Sequence, residues 1–166
     1  MADNIKTCCF EPVYSSKSKI LILGTMPSVM SVKNGFYYSH PQNIFWRVMT
    51  EVLNEHKVPQ SPEEKKNMML KHNIAIWDVL YSCEIKNSSD ASIKNPVANN
   101  LELVIKNSKI STVFTTGKTA DRLYNKLCYD KTGIKSINLP STSPANRGNY
   151  NYDQTVAHYK VILNYL

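Results

Sequence analysis

The 166-residue chain holds only four cysteines, and none belongs to a C-x-x-C pair. Cys8 and Cys9 are adjacent, while Cys83 and Cys128 stand far apart, so the spacing that zinc or iron–sulfur ligation needs is missing. Reduced thiols are expected, with no metal, no cofactor and no disulfide framework. Long apolar runs are missing too: none approaches the ~20 residues that span a bilayer, so no membrane partner is expected. The first residues, Met1-Ala2-Asp3-Asn4-Ile5-Lys6, lack the apolar core of a signal peptide, which places the chain inside the cell. Repeats, low-complexity tracts and Pro-, Gly- or Ser-rich linkers are absent, and a single domain over 1–166 follows, expected as a monomer. One further absence removes a decoy. Thr115-Thr116-Gly117-Lys118-Thr119 resembles the end of a phosphate-binding loop, but the glycine required five residues before Gly117 is Thr112. Without it the backbone cannot wrap a triphosphate closely, and nucleotide hydrolysis is excluded.

What is present begins with charge. Twenty Lys and Arg residues against thirteen Asp and Glu give a formal net charge of +7. Such a surplus favours an anionic partner, of which nucleic acid is the commonest. Seventeen of the twenty are lysines dispersed along the chain, a composition that also serves plain solvation, so charge alone leaves both readings open. Hydrophobic residues at 42% supply enough apolar surface for a core.

The apolar pattern predicts alternating strands and helices. Lys19-Ile20-Leu21-Ile22-Leu23 is a continuous run stopped by Gly24, the pattern of a buried parallel strand. A polar loop rich in Gly and Tyr follows. Phe45, Val48, Met49, Val52 and Leu53 then recur at helical spacing. Ser61-Pro62-Glu63-Glu64 reads as a capped helix start. Strands are predicted over 74–80, 111–116 and 135–139, and helices over 99–107 and 118–127. A closing helix is predicted over 153–165, with Tyr159, Ile162 and Leu163 on one side. This alternation implies a three-layer α/β/α sandwich with a short, mainly parallel central sheet. Ligands of such sheets bind beyond the carboxyl ends of the strands, where the loops over 24–43 and 140–148 are expected.

Those two loops carry the informative residues. Gly24-Thr25-Met26-Pro27-Ser28 is followed by Gly35-Phe36-Tyr37-Tyr38-Ser39-His40-Pro41-Gln42-Asn43-Ile44-Phe45-Trp46. This arrangement resembles the first motif of the mismatch-specific uracil-DNA glycosylases within the uracil-DNA glycosylase superfamily. It resembles more closely the hypoxanthine-DNA glycosylase branch, with G-[ST]-x-P-S ahead of Y-Y-x-H-P-Q-N-x-F-W. Leu139-Pro140-Ser141-Thr142-Ser143-Pro144-Ala145-Asn146-Arg147 is similar to the second superfamily motif. Segments 76–80 and 90–94 also resemble that branch, so the likeness runs from about Ile20 to Gly148.

The resemblance implies a monofunctional glycosylase that flips a deaminated base out of damaged DNA and hydrolyses its N-glycosidic bond. It implies a base pocket built from Thr25, Met26, Pro27, Tyr38 and His40, in which Tyr38 stacks on the base. The alternative for Tyr38 is loop packing, and for His40 it is pinning the loop against Pro41. Asn43 is implied as the catalytic residue, its amide orienting the attacking water; the alternative is a cap on the helix that begins at Ile44. Ser28, Pro140, Ser141, Ser143, Asn146 and Arg147 are implied to contact DNA, the last two at the vacated stack; turn formation is the alternative for Ser141 and Ser143. The usual histidine of the second motif is absent, which leaves leaving-group stabilisation by that loop without its residue. Asp78 is assigned a structural role, while Asp90 with Ser92 and Lys94 either shapes the pocket or touches the backbone.

Met26 stands where the uracil-removing branches carry Asn or Asp, and this favours hypoxanthine over uracil as the base released. A uracil or mismatch glycosylase of the same superfamily is the alternative. Two rival classes fit parts of the pattern: a non-catalytic single-strand binding module that stacks bases on its tyrosines, and a small-molecule transferase or hydrolase on the same fold. The charge argument yields a prediction. Affinity for a duplex with an abasic site, measured from low to moderate salt, should fall with a log–log slope of ~0.9 per phosphate contact. A flat response would remove nucleic acid from the reading.

Overall fold

The computed structural model describes residues 4–7, 10–86 and 90–166; Cys8 and Cys9 lie outside them. The core is a four-stranded, all-parallel sheet of β2 (Ile20–Gly24), β3 (Ile74–Asp78), β6 (Thr112–Thr116) and β7 (Ser136–Leu139), in spatial order β3-β2-β6-β7. Every residue of β2, β3 and β6 is buried, as strands covered on both faces require. The sheet is flanked by helices, which in chain order include α2 (Phe45–Val52), α3 (Pro62–Lys71), α4 (Leu101–Lys106), α5 (Lys118–Leu127), the short α6 (Tyr129–Thr132) and α7 (Tyr152–Tyr159).

Strand order fixes where a ligand can sit. From β2 the chain crosses to β3 on one side, then returns past β2 to β6 on the other. The connections diverge between β2 and β6, leaving a crevice above their carboxyl ends. The register brings the strand ends level, with Gly24 paired to Asp78, Leu23 to Thr115 and Thr116 to Leu139.

Local sequence explains the helices. Ser61 caps α3 in a capping box: its Oγ accepts the Glu64 N–H at 3.1 Å while Glu64 Oε2 accepts the Ser61 N–H at 3.3 Å. In α2, Phe45, Val48, Met49 and Val52 are buried, as their spacing predicts. The closing helix departs from expectation. It tightens after Tyr159 into a 3₁₀ segment, Lys160–Tyr165. Three residues per turn keep Ile162 beneath Tyr159 but rotate Leu163 away, leaving it 47% exposed.

Two elements go beyond the sequence pattern. The loop over 24–43 contains a short helix, α1 (Val29–Asn34), capped by Ser28 and ended by Gly35 in the left-handed conformation. A second, antiparallel sheet forms from β1 (Asn4–Thr7), β4 (Leu80–Ile85) and β5 (Lys94–Ala98), in order β1-β4-β5. Its middle strand starts two residues after β3. Asn99 holds that bend, its Nδ2 donating to the carbonyls of Asp78 (2.9 Å) and Leu80 (3.1 Å). Cys83 and Cys128 are both buried, and no helix among the described residues is long and apolar enough to cross a membrane.

One contact ties the helical layer to the crevice. Tyr159, fully buried in α7, donates its hydroxyl to the Pro140 carbonyl at 2.7 Å, anchoring the loop that leaves β7. Replacing Tyr159 with Phe leaves that carbonyl without its donor. The expected cost is about 1–3 kcal/mol, read as a lowered midpoint in thermal or urea unfolding. An unchanged midpoint would show that the anchor contributes nothing.

Candidate active site

A cleft of about 540 Å³ opens above the carboxyl ends of the parallel strands, where the topology places it. All four strands feed it: Gly24 ends β2 and Thr25 to Ser28 follow it, Asp78 ends β3, Thr116 ends β6, and the loop over 141–145 follows β7. Of the residues singled out from sequence, Thr25, Met26, Pro27, Ser28, Tyr38, His40, Asn43, Ser141 and Ser143 line it. Pro140, Asn146 and Arg147 do not.

The tetrapeptide His40-Pro41-Gln42-Asn43 is a turn, closed by the Asn43 N–H donating to the His40 carbonyl at 2.9 Å. Proline favours the second position of such turns because its φ is already set. His40 Nδ1 accepts the Gln42 N–H at 3.1 Å, so the neutral ring carries its proton on Nε2. The turn delivers Asn43 to the start of α2. There its Oδ1 accepts the Phe45 N–H at 2.9 Å, an Asx-type bond at the helix start. The helix begins at Phe45 with Ile44 as its N-cap, so Asn43 supports the helix start from one residue ahead of the cap rather than capping it. The side chain also lines the cleft, with a second lone pair on Oδ1 and the Nδ2 donors left over.

Tyr38 is held from three sides. Its ring stacks on Phe45, centroids 3.9 Å apart and planes 15° from parallel. Its hydroxyl bonds Thr116 Oγ1 at 3.1 Å; Thr116 gives its own proton to the Leu23 carbonyl, so the phenol is the donor. Its backbone has φ of 51°, the left-handed region that non-glycine residues seldom occupy. Such strain at a cleft wall persists only when the surroundings over-determine it. Burial pushes the Tyr38 phenol well above its ordinary pKa, and the nearby Asp78 charge adds to the rise, against the Thr116 bond. The ring stays neutral.

Asp78 is a cleft residue that sequence reasoning assigned only a structural role. It is 4% exposed and lines the cleft beside Tyr38. Its position at the end of an apolar strand, opposite Gly24, was the available signal. Gly24 allows this approach: a Cβ there would lie 2.8 Å from Asp78 Oδ1 and 3.2 Å from the Tyr38 hydroxyl. Met26 meets a second residue that sequence left out, the buried Cys83, whose Sγ lies 3.2 Å from Met26 Sδ. Asp90 also lines the cleft, whereas the Ser92 hydroxyl bonds the Lys86 backbone.

The loop after β7 is fastened to the turn by two bonds. The Ile44 N–H donates to the Thr142 carbonyl at 3.2 Å, and Arg147 Nη2 to the Gln42 carbonyl at 2.6 Å. Asn146 folds back, its Nδ2 donating to the Ser141 carbonyl at 3.0 Å. Ser141 and Ser143 each accept a loop N–H, from Ser143 and Ala145, and keep a hydroxyl proton to donate. The turn role expected as their alternative is thus visible. Gly117, at φ of 87°, lets α5 begin against Ser141, where an added Cβ would lie 3.1 Å from the Ser141 Cβ. Among the described residues no three His, Cys, Asp or Glu side chains converge to hold a metal.

Comparison with known proteins places this arrangement. Residues 11–166 match the model of the uracil DNA glycosylase superfamily. The chain is 34% identical over 143 residues to a hypoxanthine DNA glycosylase of Methanosarcina acetivorans, covering 83% of this chain and 87% of that one. It is 28% identical over 142 residues to a hypoxanthine DNA glycosylase of Methanosarcina barkeri, covering 80% and 90%. A solution NMR structure of a uracil DNA glycosylase candidate from M. acetivorans superposes with a TM-score of 0.79 at 26% identity, covering 96% of this chain and 99% of that one.

The packing around Gly24 yields a prediction. Gly24→Ala must push the Asp78 carboxylate, and to a lesser extent the Tyr38 hydroxyl, away from residue 24, and a displacement of about 1 Å at a reacting centre costs about 10²-fold in rate. Single-turnover base release from a lesion-bearing duplex measures it. A fully active Gly24→Ala variant would show that the close approach of carboxylate and phenol is dispensable.

Proposed function

This chain belongs to the uracil DNA glycosylase superfamily and is a DNA glycosylase, and on that premise we propose that the base it releases is hypoxanthine. The observation that carries the first half of the reading, a deaminated base, is the buried Asp78 carboxylate in the cleft wall, close to Gly24 and the neutral Tyr38 ring. A carboxylate accepts hydrogen bonds and donates none. Hypoxanthine presents N1–H as a donor, whereas adenine presents a bare N1 that would face the carboxylate lone pairs. A site that presents acceptor lone pairs to a ring N–H rejects the analogue whose bare ring nitrogen would set lone pair against lone pair there. Uracil and xanthine also carry a ring N–H. Asp78 therefore separates deaminated bases from adenine and cytosine, not one deaminated base from another. For the finer choice the support is the cleft volume, ample for a purine, the flexible apolar Met26 on its wall, and the likeness to hypoxanthine DNA glycosylases.

The remaining residues take their roles from chemistry. Flipping a nucleotide costs a few kcal/mol, and Tyr38, backed by Phe45, offers a rigid aromatic wall that recovers part of it by stacking. His40 and Pro27 complete the pocket. Asn43 sits at the cleft edge and orients the water that attacks C1′; its bond to Phe45 N–H holds the amide still. The Ser28, Ser141 and Ser143 hydroxyls and Lys118, the first residue of α5, lie on or beside the rim, where the phosphates of the bent strand would run. Asn146 and Arg147, tied to the protein, brace the rim and reach DNA from there.

The test compares single-turnover release from duplexes carrying inosine, uracil or xanthine opposite each normal base. Hypoxanthine should leave fastest. Asn43→Ala should slow it by about 10²–10³-fold, the usual loss for a preorganised amide, with affinity for the damaged duplex nearly unchanged. Far faster uracil release would overturn the assignment of the base, and near-normal turnover by Asn43→Ala would leave that residue only its helix-start role.

A further inference from the structure

The loop after β7 contains one buried polar group that nothing among the described residues satisfies. Thr142 is 2% exposed, and its Oγ1, closed off from solvent, makes no hydrogen bond among the described residues. Its neighbours differ: Ser141 and Ser143 on either side each accept a loop N–H at 3.2 and 3.4 Å. Buried hydroxyls without partners are rare in folded proteins, and each needs a reason. Thr142 lines the cleft, and its carbonyl accepts the N–H of Ile44, the residue after Asn43. The loop that carries the unsatisfied hydroxyl is therefore joined to the segment that carries Asn43, and both residues line the cleft.

We propose that Thr142 is a second water-holding residue, which with Asn43 fixes the nucleophile in the substrate complex. This inference rests on the glycosylase reading of the cleft. A water that attacks C1′ must aim a lone pair at the carbon, so both of its protons must go to acceptors. Asn43 Oδ1 already accepts the Phe45 N–H and has one lone pair left. A water held there alone can turn about that single bond. A second acceptor on the facing loop removes this freedom, and Thr142 Oγ1 is the acceptor without another duty. Threonine occupies more than one χ1 well, so its hydroxyl swings to the cleft surface when the complex forms. In the reaction the water oxygen bonds C1′ and the bond from C1′ to the base nitrogen breaks, its electron pair leaving with the base. One water proton stays on the new hydroxyl. The other passes to solvent, from which the base is protonated; Thr142 is unchanged.

Four proteins decide the matter: the wild type, Thr142→Val, Thr142→Ser and the double variant Asn43→Ala with Thr142→Val. Single-turnover hypoxanthine release is measured, together with thermal midpoint and affinity for a duplex carrying non-cleavable 2′-fluorodeoxyinosine. Thr142→Val should fold at least as stably as the wild type, since it replaces an unsatisfied hydroxyl with a methyl group. It should bind the analogue within about twofold and release base about 10²-fold more slowly, the loss typical of a misplaced reacting group. Thr142→Ser, which keeps the hydroxyl, should recover most of the rate. The double variant should be little slower than the slower single one, because both residues serve one water. Thr142→Val within threefold of wild type overturns the inference while leaving the glycosylase reading intact. So does equal slowness of the Val and Ser variants, which would assign the effect to packing, and so does full additivity. A wild type that releases no base from any duplex overturns both.

Discussion

The cleft depends above all on the parallel pairing that sets Gly24 opposite Asp78. That register ends β2 and β3 at the same height and puts a carboxylate against a residue without a side chain. The same alignment brings Thr116, at the end of β6, level with Leu139, so the loop over 140–148 starts from the same plane. A slip of one residue would turn each of these side chains to the opposite face of the sheet. It would also set Asp78 among the apolar residues that now occupy the buried faces. Because the strands are buried on both faces, their hydrophobic contacts hold the register far more firmly than any polar contact in the cleft does.

On that frame the two loops act as one unit. The Ile44–Thr142 and Arg147–Gln42 bonds join them across 98 and 105 residues of sequence, and Tyr159 fixes the far end through the Pro140 carbonyl. The aromatic wall has similar support. Trp46 Nε1 donates to the Tyr37 carbonyl at 2.9 Å, and Lys65 Nζ donates to Ser39 Oγ at 3.1 Å while lying 5.5 Å from the Trp46 ring centre. These contacts hold Tyr38 in its unusual backbone conformation. Rigid placement of this kind suits a reaction in which the protein contributes orientation and fixed dipoles.

Much of this could be read from one chain of letters. The apolar run ending at Gly24, the capped start at Ser61 and the helical spacing from Phe45 are local signals, and local physics gave them their expected form. The H-P-Q-N block marked the site because proline and asparagine at that spacing make a turn that delivers a polar side chain to a helix start. The second sheet was not legible. β4 pairs with a strand more than seventy residues earlier, and its own pattern is interrupted by register shifts. Nor was the outward turn of Leu163, since nothing in its neighbours' identities announces the change from 3.6 to three residues per turn.

By itself the sequence determined the strands of the buried parallel core and the main helices between them, because each follows from propensity, spacing and capping within a few turns of chain, and the residues of both site loops stood out by their resemblance to a family motif. The tertiary structure decided which of those residues share the cleft. It brought in Asp78 and Thr142, whose neighbours in sequence describe a strand end and a serine-rich turn. It bonded Asn146 to the Ser141 carbonyl and Arg147 to the Gln42 carbonyl. These outcomes depend on hydrogen bonds and close approaches between segments far apart in the chain, and such distances are settled only when the sheet closes and its strand ends align.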